Sequence, residues 1–340
     1  MPLILTSSQK HMNTHVSLSL VVEAKDKGRG SAVLDEAQRY LSNLESQISE
    51  FRSESPVFQI NHAAPHKWIA VNDSFLALWT LCCFSSEVSM KSFNCLAKSR
   101  SRNPQIIVDS ENRRAARGDI DTHIGFGAIG KGYALDRVRE IISREGFDDF
   151  CLNAGGSSII LSGRRGDEPW RFSWSWEDGR GVELTHATLR PLALGVSGLT
   201  SQSDHLIDPK TLAPTKRVTS ALIGHPSAAL ADSLSTALFV NGFDDALLGF
   251  SKLPDPPAIA VIENTKIPRW NGIFQNWWGA LAGLVLAPLA WADETIDFSD
   301  VNDFTPYINQ KNFAWVLLPA LTLLWVFWHL MKPPQSRETP

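Results

Sequence analysis

The chain has 340 residues, of which 44% are apolar and 20% charged, values typical of a folded globular protein with one large or two modest domains plus extras. A formal net charge of −4 and the lack of any Lys/Arg-rich run exclude a basic field for nucleic acid. Its four cysteines, Cys82, Cys83, Cys95 and Cys151, lack metal-ligand spacing and suit a reduced compartment.

The opening residues Met1 to Thr6 carry no basic segment and no long apolar core, so no N-terminal secretory signal is expected. Val16 to Val22 alternates as a strand. Val33, Ala37, Tyr40, Leu41, Leu44 and Ile48 then form one apolar stripe of a helix. Phe51 to Asn61 reads as a polar loop, Ser74 to Leu81 as the start of another helix, and Ile106 to Val108 as a short strand. Ser85 to Arg102 shows only weak patterning.

The run Gly125-Phe126-Gly127-Ala128-Ile129-Gly130-Lys131-Gly132 is the most informative stretch. It leads into Tyr133 to Glu145, where Ala134, Leu135, Val138, Ile141 and Ile142 recur at helical spacing, and Gly146 is placed to stop the helix. Glycines let a backbone approach a ligand, and a helix N-terminus offers free N–H groups and a positive dipole end, so the run is a candidate phosphate site. The string also fits the start of a P-loop, but Gly132 stands where Ser or Thr would hold magnesium. Asp119 to Ile124 is, moreover, poor material for the buried parallel strand a P-loop requires. Nucleotide hydrolysis of that type is therefore not expected.

Phe150 to Gly156 and Ile159 to Gly163 read as strand, glycine turn, strand. Trp170, Phe172, Trp174 and Trp176 alternate with polar residues, as in a half-buried strand, and Leu192 to Val196 and Ser220 to Gly224 are further strands. Short strands interleaved with helices predict an α+β fold rather than a doubly wound sheet. Ser227 to Asn241 is a second clear helix, with Ser227 as cap and Gly242 as stop. Asp232 and Thr236, one turn apart, share a face on which a carboxylate and a hydroxyl can supply oxygen to a hard cation such as magnesium.

After about residue 265 the composition changes. Residues 277–292 and 313–331 are strongly apolar, and the second, interrupted only by His329, would run roughly 28 Å as a helix, close to a bilayer core. An acidic linker, 293–312, separates them, and Lys266, Arg269, Lys332 and Arg337 flank the pair. The reading is a domain at 1–265 followed by a membrane segment at 266–340, with two spans, the linker outside and the catalytic domain on the cytoplasmic side. A rival reading of the first stretch is a signal-like segment cleaved after Ala292, and a third is a buried hairpin.

Several segments, in order, resemble the ApbE-type FAD:protein FMN transferases. Met12-Asn13-Thr14 resembles an early M-G-T, and Ala128 to Asp136 resembles the glycine–lysine segment. Asn153 to Gly156 resembles N-x-G-G, and Ser197-Gly198 an S-G. His205 to Thr211 is similar to H-x-I-D-P-x-T-G, and Ser227 to Leu238 to an A-D-x-x-x-T-A helix. The resemblance covers about residues 10 to 250.

It implies an α+β fold and a magnesium-dependent transfer of FMN from FAD to a threonine of an acceptor protein, with release of AMP; a membrane redox protein would be one kind of acceptor. Ala128, through its carbonyl, Asp232 and Thr236 would hold Mg2+. Lys131 would contact FAD phosphate, with Met12, Ile207, Gly155 and Gly156 beside the cofactor. His205, with an ordinary pKa near 6.5, is the expected proton acceptor, and Asp208 its orienter or a second base.

The chain departs from this pattern in places. Gly125 replaces the acidic residue six before the lysine, for which Asp121 could substitute if the loop shifted. Ser85 to Leu96 lacks an acid–proline pair, and Leu212 replaces a glycine. Two further readings therefore stand beside the transferase: a catalytically degenerate flavin- or nucleotide-binding module tethered to a membrane, and a membrane-tethered scaffold.

Overall fold

A computed structural model describes residues 2–175, 181–198, 218–263 and 268–271. In chain order these form β1 (Leu3–His11), β2 (Thr14–Val22), α1 (Lys27–Ile48), α2 (Pro56–His62), β3 (Ile69–Ala70), α3 (Asp73–Val88), β4 (Ile106–Asp109), β5 (Arg114–Arg117) and α4 (Gly130–Arg144). There follow β6 (Phe150–Ala154), β7 (Ser158–Ser162), β8 (Arg164–Arg165), β9 (Glu168–Ser175), β10 (Gly181–His186), β11 (Leu192–Gly198), β12 (Val218–His225), α5 (Ala228–Asn241), α6 (Phe243–Phe250), β13 (Ala258–Glu263) and β14 (Pro268–Trp270).

Period-two patterning builds the main sheet. In β2, Val16, Leu18, Leu20 and Val22 are all buried on one face while the residues between them are more exposed. Leu18 pairs with Leu152 of β6, which pairs with Ile160 of β7, so apolar residues line up across strands. Eight strands join in the order β1-β2-β6-β7-β11-β12-β13-β14, and every neighbouring pair is antiparallel. That arrangement is the expected α+β class, and among the described residues no two strands pair in parallel, as a P-loop would require.

The central strands are apolar on both faces because both faces are covered. Ile160, Ala193, Ile223 and Val261 join the core under the helices, whereas Ile159, Leu161, Leu194 and Leu222 join a second cluster beneath the β9–β10 hairpin. Trp170 and Trp174 of that hairpin are buried, and their indole N–H groups donate to the Ser162 carbonyl (2.9 Å) and the Ser220 hydroxyl (2.8 Å). Trp176 lies outside the described residues.

Two expectations are corrected. The polar loop drawn over Phe51 to Asn61 contains α2, whose start carries a standard signal: Ser55 accepts from the Val57 N–H and Pro56 occupies the first turn. Its seven residues are too few to show a helical period. The helix after the glycine run begins at Gly130 rather than Tyr133, so Lys131 and Gly132 lie inside its first turn.

The sequence places the caps of α5 correctly. Ser227 accepts from the Leu230 N–H, and Gly242 ends the helix at φ +79°. This helix is buried on nearly every side, wedged between the sheet and α4. Glycines permit the fit. A Cβ at Gly195 of β11 would stand 2.1 Å from the Ala231 carbonyl oxygen, and one at Gly132 of α4 would stand 2.0 Å from that of Ala228.

Candidate functional site

The loop at Gly125–Ile129 and the first turn of α4 face the Asp232 side of α5 across a cleft. A cavity of about 370 Å³ is lined by Ala128 and Lys131 on one side and Asp232 and Thr236 on the other. Glu50, Ser92, Asn94, Lys98, Ser157 and Ser197 add to its polar lining. A smaller cavity of about 110 Å³ adjoins it, sharing Glu50, Gly127 and Lys131 and adding Met12, Ile48, Phe51 and Phe126. Two stretches a hundred residues apart in sequence, predicted separately, thus meet at one place.

The meeting is fixed by hydrogen bonds. Asp232 accepts from the Gly132 backbone N–H at 3.0 Å and from the Ser158 hydroxyl at 2.7 Å. Burial pushes its carboxyl above the usual carboxylate range, while the Lys131 ammonium and these two donors pull it back toward ionisation. Thr236, one turn on, bonds weakly back to the Asp232 carbonyl at 3.4 Å and approaches the Ser197 hydroxyl at 3.5 Å.

Asp136 does something the sequence did not assign. It is buried within α4 and reaches the start of α5, accepting from the Ser227 hydroxyl (2.9 Å) and the N–H groups of Ala228 and Ala229 (3.0 Å each). It caps a helix 91 residues or more further along the chain, and Arg139 pairs with it at 3.0 Å while donating to the Pro226 carbonyl at 2.6 Å. Gly132 and Asp136 are therefore the means by which α4 holds α5, and with it Asp232, in register. The one signal in the sequence was the four-residue spacing of Gly132 and Asp136, which puts both on one face of the helix beside its apolar stripe.

The remaining predicted residues fall in different places. Met12 sits in the β1–β2 turn with φ +50° and lines the smaller cavity. Gly155 and Gly156 form the β6–β7 turn with φ +65° and +71°, where a Cβ on Gly155 would meet the Thr14 hydroxyl; the next residue, Ser157, lines the main cavity. His205, Ile207 and Asp208 lie outside the described residues. Asp121 does not line the cleft; its carbonyl accepts from the Arg100 N–H, and it is exposed. The carboxylate that stands over Gly125 is instead Glu50, whose Oε1 would lie 3.1 Å from a Cβ at that position. The Ser85–Leu96 segment wraps α5: Ser85 bonds Ser233 at 2.8 Å, Ser92 donates to Asn241, and Asn94 and Cys95 reach the cleft.

The donor set fits a hard cation that shares its shell with a ligand. Asp232 carboxylate, Thr236 hydroxyl and Ala128 carbonyl are all oxygens, and both Asp232 oxygens keep acceptor capacity after one bond each. Among the described residues no group of three His, Cys, Asp or Glu side chains could hold a metal by itself. A cation here would need phosphate oxygens to complete its coordination, and magnesium is commonly bound in this way.

An antiparallel sheet backed by helices carries a cleft in which a glycine–lysine helix start faces an Asp/Thr helix face. The ApbE family model matches residues 12–259, and the chain belongs to that family. A FAD:protein FMN transferase of Rhodobacter capsulatus is 35% identical over 137 residues, which span 36% of this chain and 25% of that protein. Proteins of the same name from Klebsiella pneumoniae and Treponema pallidum are 22% and 24% identical, covering 70% and 71% of this chain and 78% and 80% of theirs. Among solved structures, flavin transferase ApbE from Vibrio cholerae superposes with TM-score 0.67 at 18% identity, covering 81% of this chain and 99% of that one. The ApbE protein of Thermotoga maritima gives 0.69 at 19%, again over 81% and 99%.

Proposed function

We propose that this chain is a magnesium-dependent FAD:protein FMN transferase that moves FMN from FAD onto a threonine hydroxyl of an acceptor protein and releases AMP. The observation that carries this reading is the convergence of Ala128, Lys131, Asp232 and Thr236 on one cleft. The family membership and the names of the relatives support it.

In this reaction the threonine Oγ attacks the phosphorus on the FMN side of the diphosphate. The P–O bond to AMP breaks, the threonine proton passes to a base, and a phosphodiester remains on the acceptor. Bound Mg2+, held by Ala128, Asp232 and Thr236, would neutralise charge on the diphosphate oxygens. Lys131 adds a second positive charge from the first turn of α4, where the helix dipole is also favourable. Gly132 and Ser158 hold the Asp232 carboxylate in place before any ligand arrives. His205 is the base we assign to the threonine proton, with Asp208 orienting it.

The test is incubation of the protein with FAD, Mg2+ and a threonine-bearing acceptor domain. Covalently yellow acceptor with stoichiometric AMP is the expected result. FAD binding without AMP would instead indicate a degenerate binding module.

We further infer from hydropathy that residues 277–292 and 313–331 tether the domain to a membrane, with the domain on the cytoplasmic face. Both stretches lie outside the described residues, and among those described no helix is long and apolar enough to cross a bilayer. Protease cleavage within 293–312 from the outer face is expected; a new N-terminus at Asp293 would point to the cleaved-segment alternative.

A further inference from the structure

Glu50 follows α1 directly and stands where the two cavities of the cleft join, lining both. Its side chain is only 9% exposed, and two neighbouring side chains anchor it. Lys98 Nζ donates to Oε1 at 2.7 Å and to Oε2 at 2.8 Å, and His123 Nε2 lies 3.0 Å from Oε2. Those bonds leave Oε1 with a single partner, although a carboxylate oxygen can accept two. Gly125 leaves room for this placement: a side chain there would begin 3.1 Å from Oε1, a tight contact, and would stand between the carboxylate and the cleft.

The surroundings say what Oε1 could accept. On one side lies the cation- and phosphate-directed group of Lys131, Asp232 and Thr236. On the other, Met12, Ile48, Phe51 and Phe126 give the smaller cavity apolar walls suited to a flat ring. Phosphate oxygens only accept, so an anionic acceptor at the junction cannot be directed at them. The substrate group that suits it is a donor carried by a ring or a sugar next to the diphosphate.

We propose that Glu50 is a substrate-recognition residue: Oε1 accepts a hydrogen bond from an N–H or hydroxyl on the nucleotide substrate's ring or sugar, held beside the smaller cavity. Lys98 and His123 act as positioning residues that keep the carboxylate fixed. This inference rests on the cleft being the flavin-nucleotide site proposed above.

The experiment measures binding of FAD and of inorganic pyrophosphate, both with Mg2+, to the full chain and to Glu50→Ala, Glu50→Gln and Glu50→Ala/Gly125→Asp. One charge-assisted hydrogen bond implies a roughly ten- to hundred-fold loss of FAD affinity in Glu50→Ala. Pyrophosphate binding should be unchanged or tighter, since Lys98 is then freed. Gly125→Asp, entering the vacated space, should restore part of the FAD affinity. Unchanged FAD affinity in Glu50→Ala, or parallel loss of both ligands without rescue, would overturn the proposal and leave Glu50 a structural post. If the unaltered protein binds pyrophosphate but no FAD, the flavin reading and this inference fail together.

Discussion

Replacing Gly132 by alanine adds one methyl group, and the structure says where it must go. The new Cβ would lie 2.0 Å from the Ala228 carbonyl oxygen, 2.5 Å from its carbon and 2.8 Å from the Ala229 nitrogen. These are backbone atoms of the capped first turn of α5, so no rotamer change can relieve the contact. Helix α5 must retreat from α4 by more than an ångström. Overpacking of this kind costs about 3 kcal/mol, and alanine's better helix propensity returns at most about 1 kcal/mol. A net loss of about 2 kcal/mol follows, which in a domain of this size lowers Tm by roughly 4–8 °C. The larger effect falls on chemistry. Asp232 sits one turn into the displaced helix and also loses its close approach to the Gly132 N–H. Displacement of that order at a catalytic group costs on the order of a hundred-fold in rate. Thermal unfolding and an AMP-release assay on the same preparation read the two quantities. A Gly132→Ala protein with native Tm and native AMP release would refute the claim that α4 and α5 meet this closely.

Asp232→Ala should abolish transfer, because the only carboxylate of the oxygen set is lost; full activity measured at saturating Mg2+ would remove the metal assignment. Asp136→Ala strips the cap from α5 and leaves Arg139 without its buried partner, so urea titration should show a loss of about 3–5 kcal/mol. Asp136→Asn should cost less. Stability should also depend on His225. Burial holds its imidazole below the ordinary 6.5, partly offset by its contacts with Ser227, Asp255 and Asp136. The unfolded chain therefore takes up a proton first, and stability should fall as pH drops from about 6.5 to the folded-state value, then level off. Urea midpoints between pH 7.5 and 5 check this; the same pH dependence in His225→Gln would show that another group is responsible.

The helices that carry the site were legible because their signals are local. Apolar spacing marked α4 and α5, and Ser227 and Gly242 marked the ends of α5. The Asp232/Thr236 face follows from helical geometry alone. Shorter elements were not legible: α2 and β5 are too brief to show a period, and β1, largely exposed at the sheet edge, lacks a clean alternation. The resemblance named Ala128, Lys131, Asp232 and Thr236, which the structure brings to one cleft; Asp121, the substitute expected for the acid missing at Gly125, does not line it, and the carboxylate over Gly125 is that of Glu50.

What the sequence determined by itself was which segments are helix or strand and which side chains share a face, since those depend on neighbours within a turn or two. Only the tertiary structure decided that Asp136 caps α5, that Gly132 and Gly195 admit it to its slot, and that Glu50 fills the space over Gly125. Each of those contacts joins residues 36 to 96 positions apart. No local pattern encodes such a distance; it is set when the two faces of the sheet are covered and the helices settle at the separation their glycines allow.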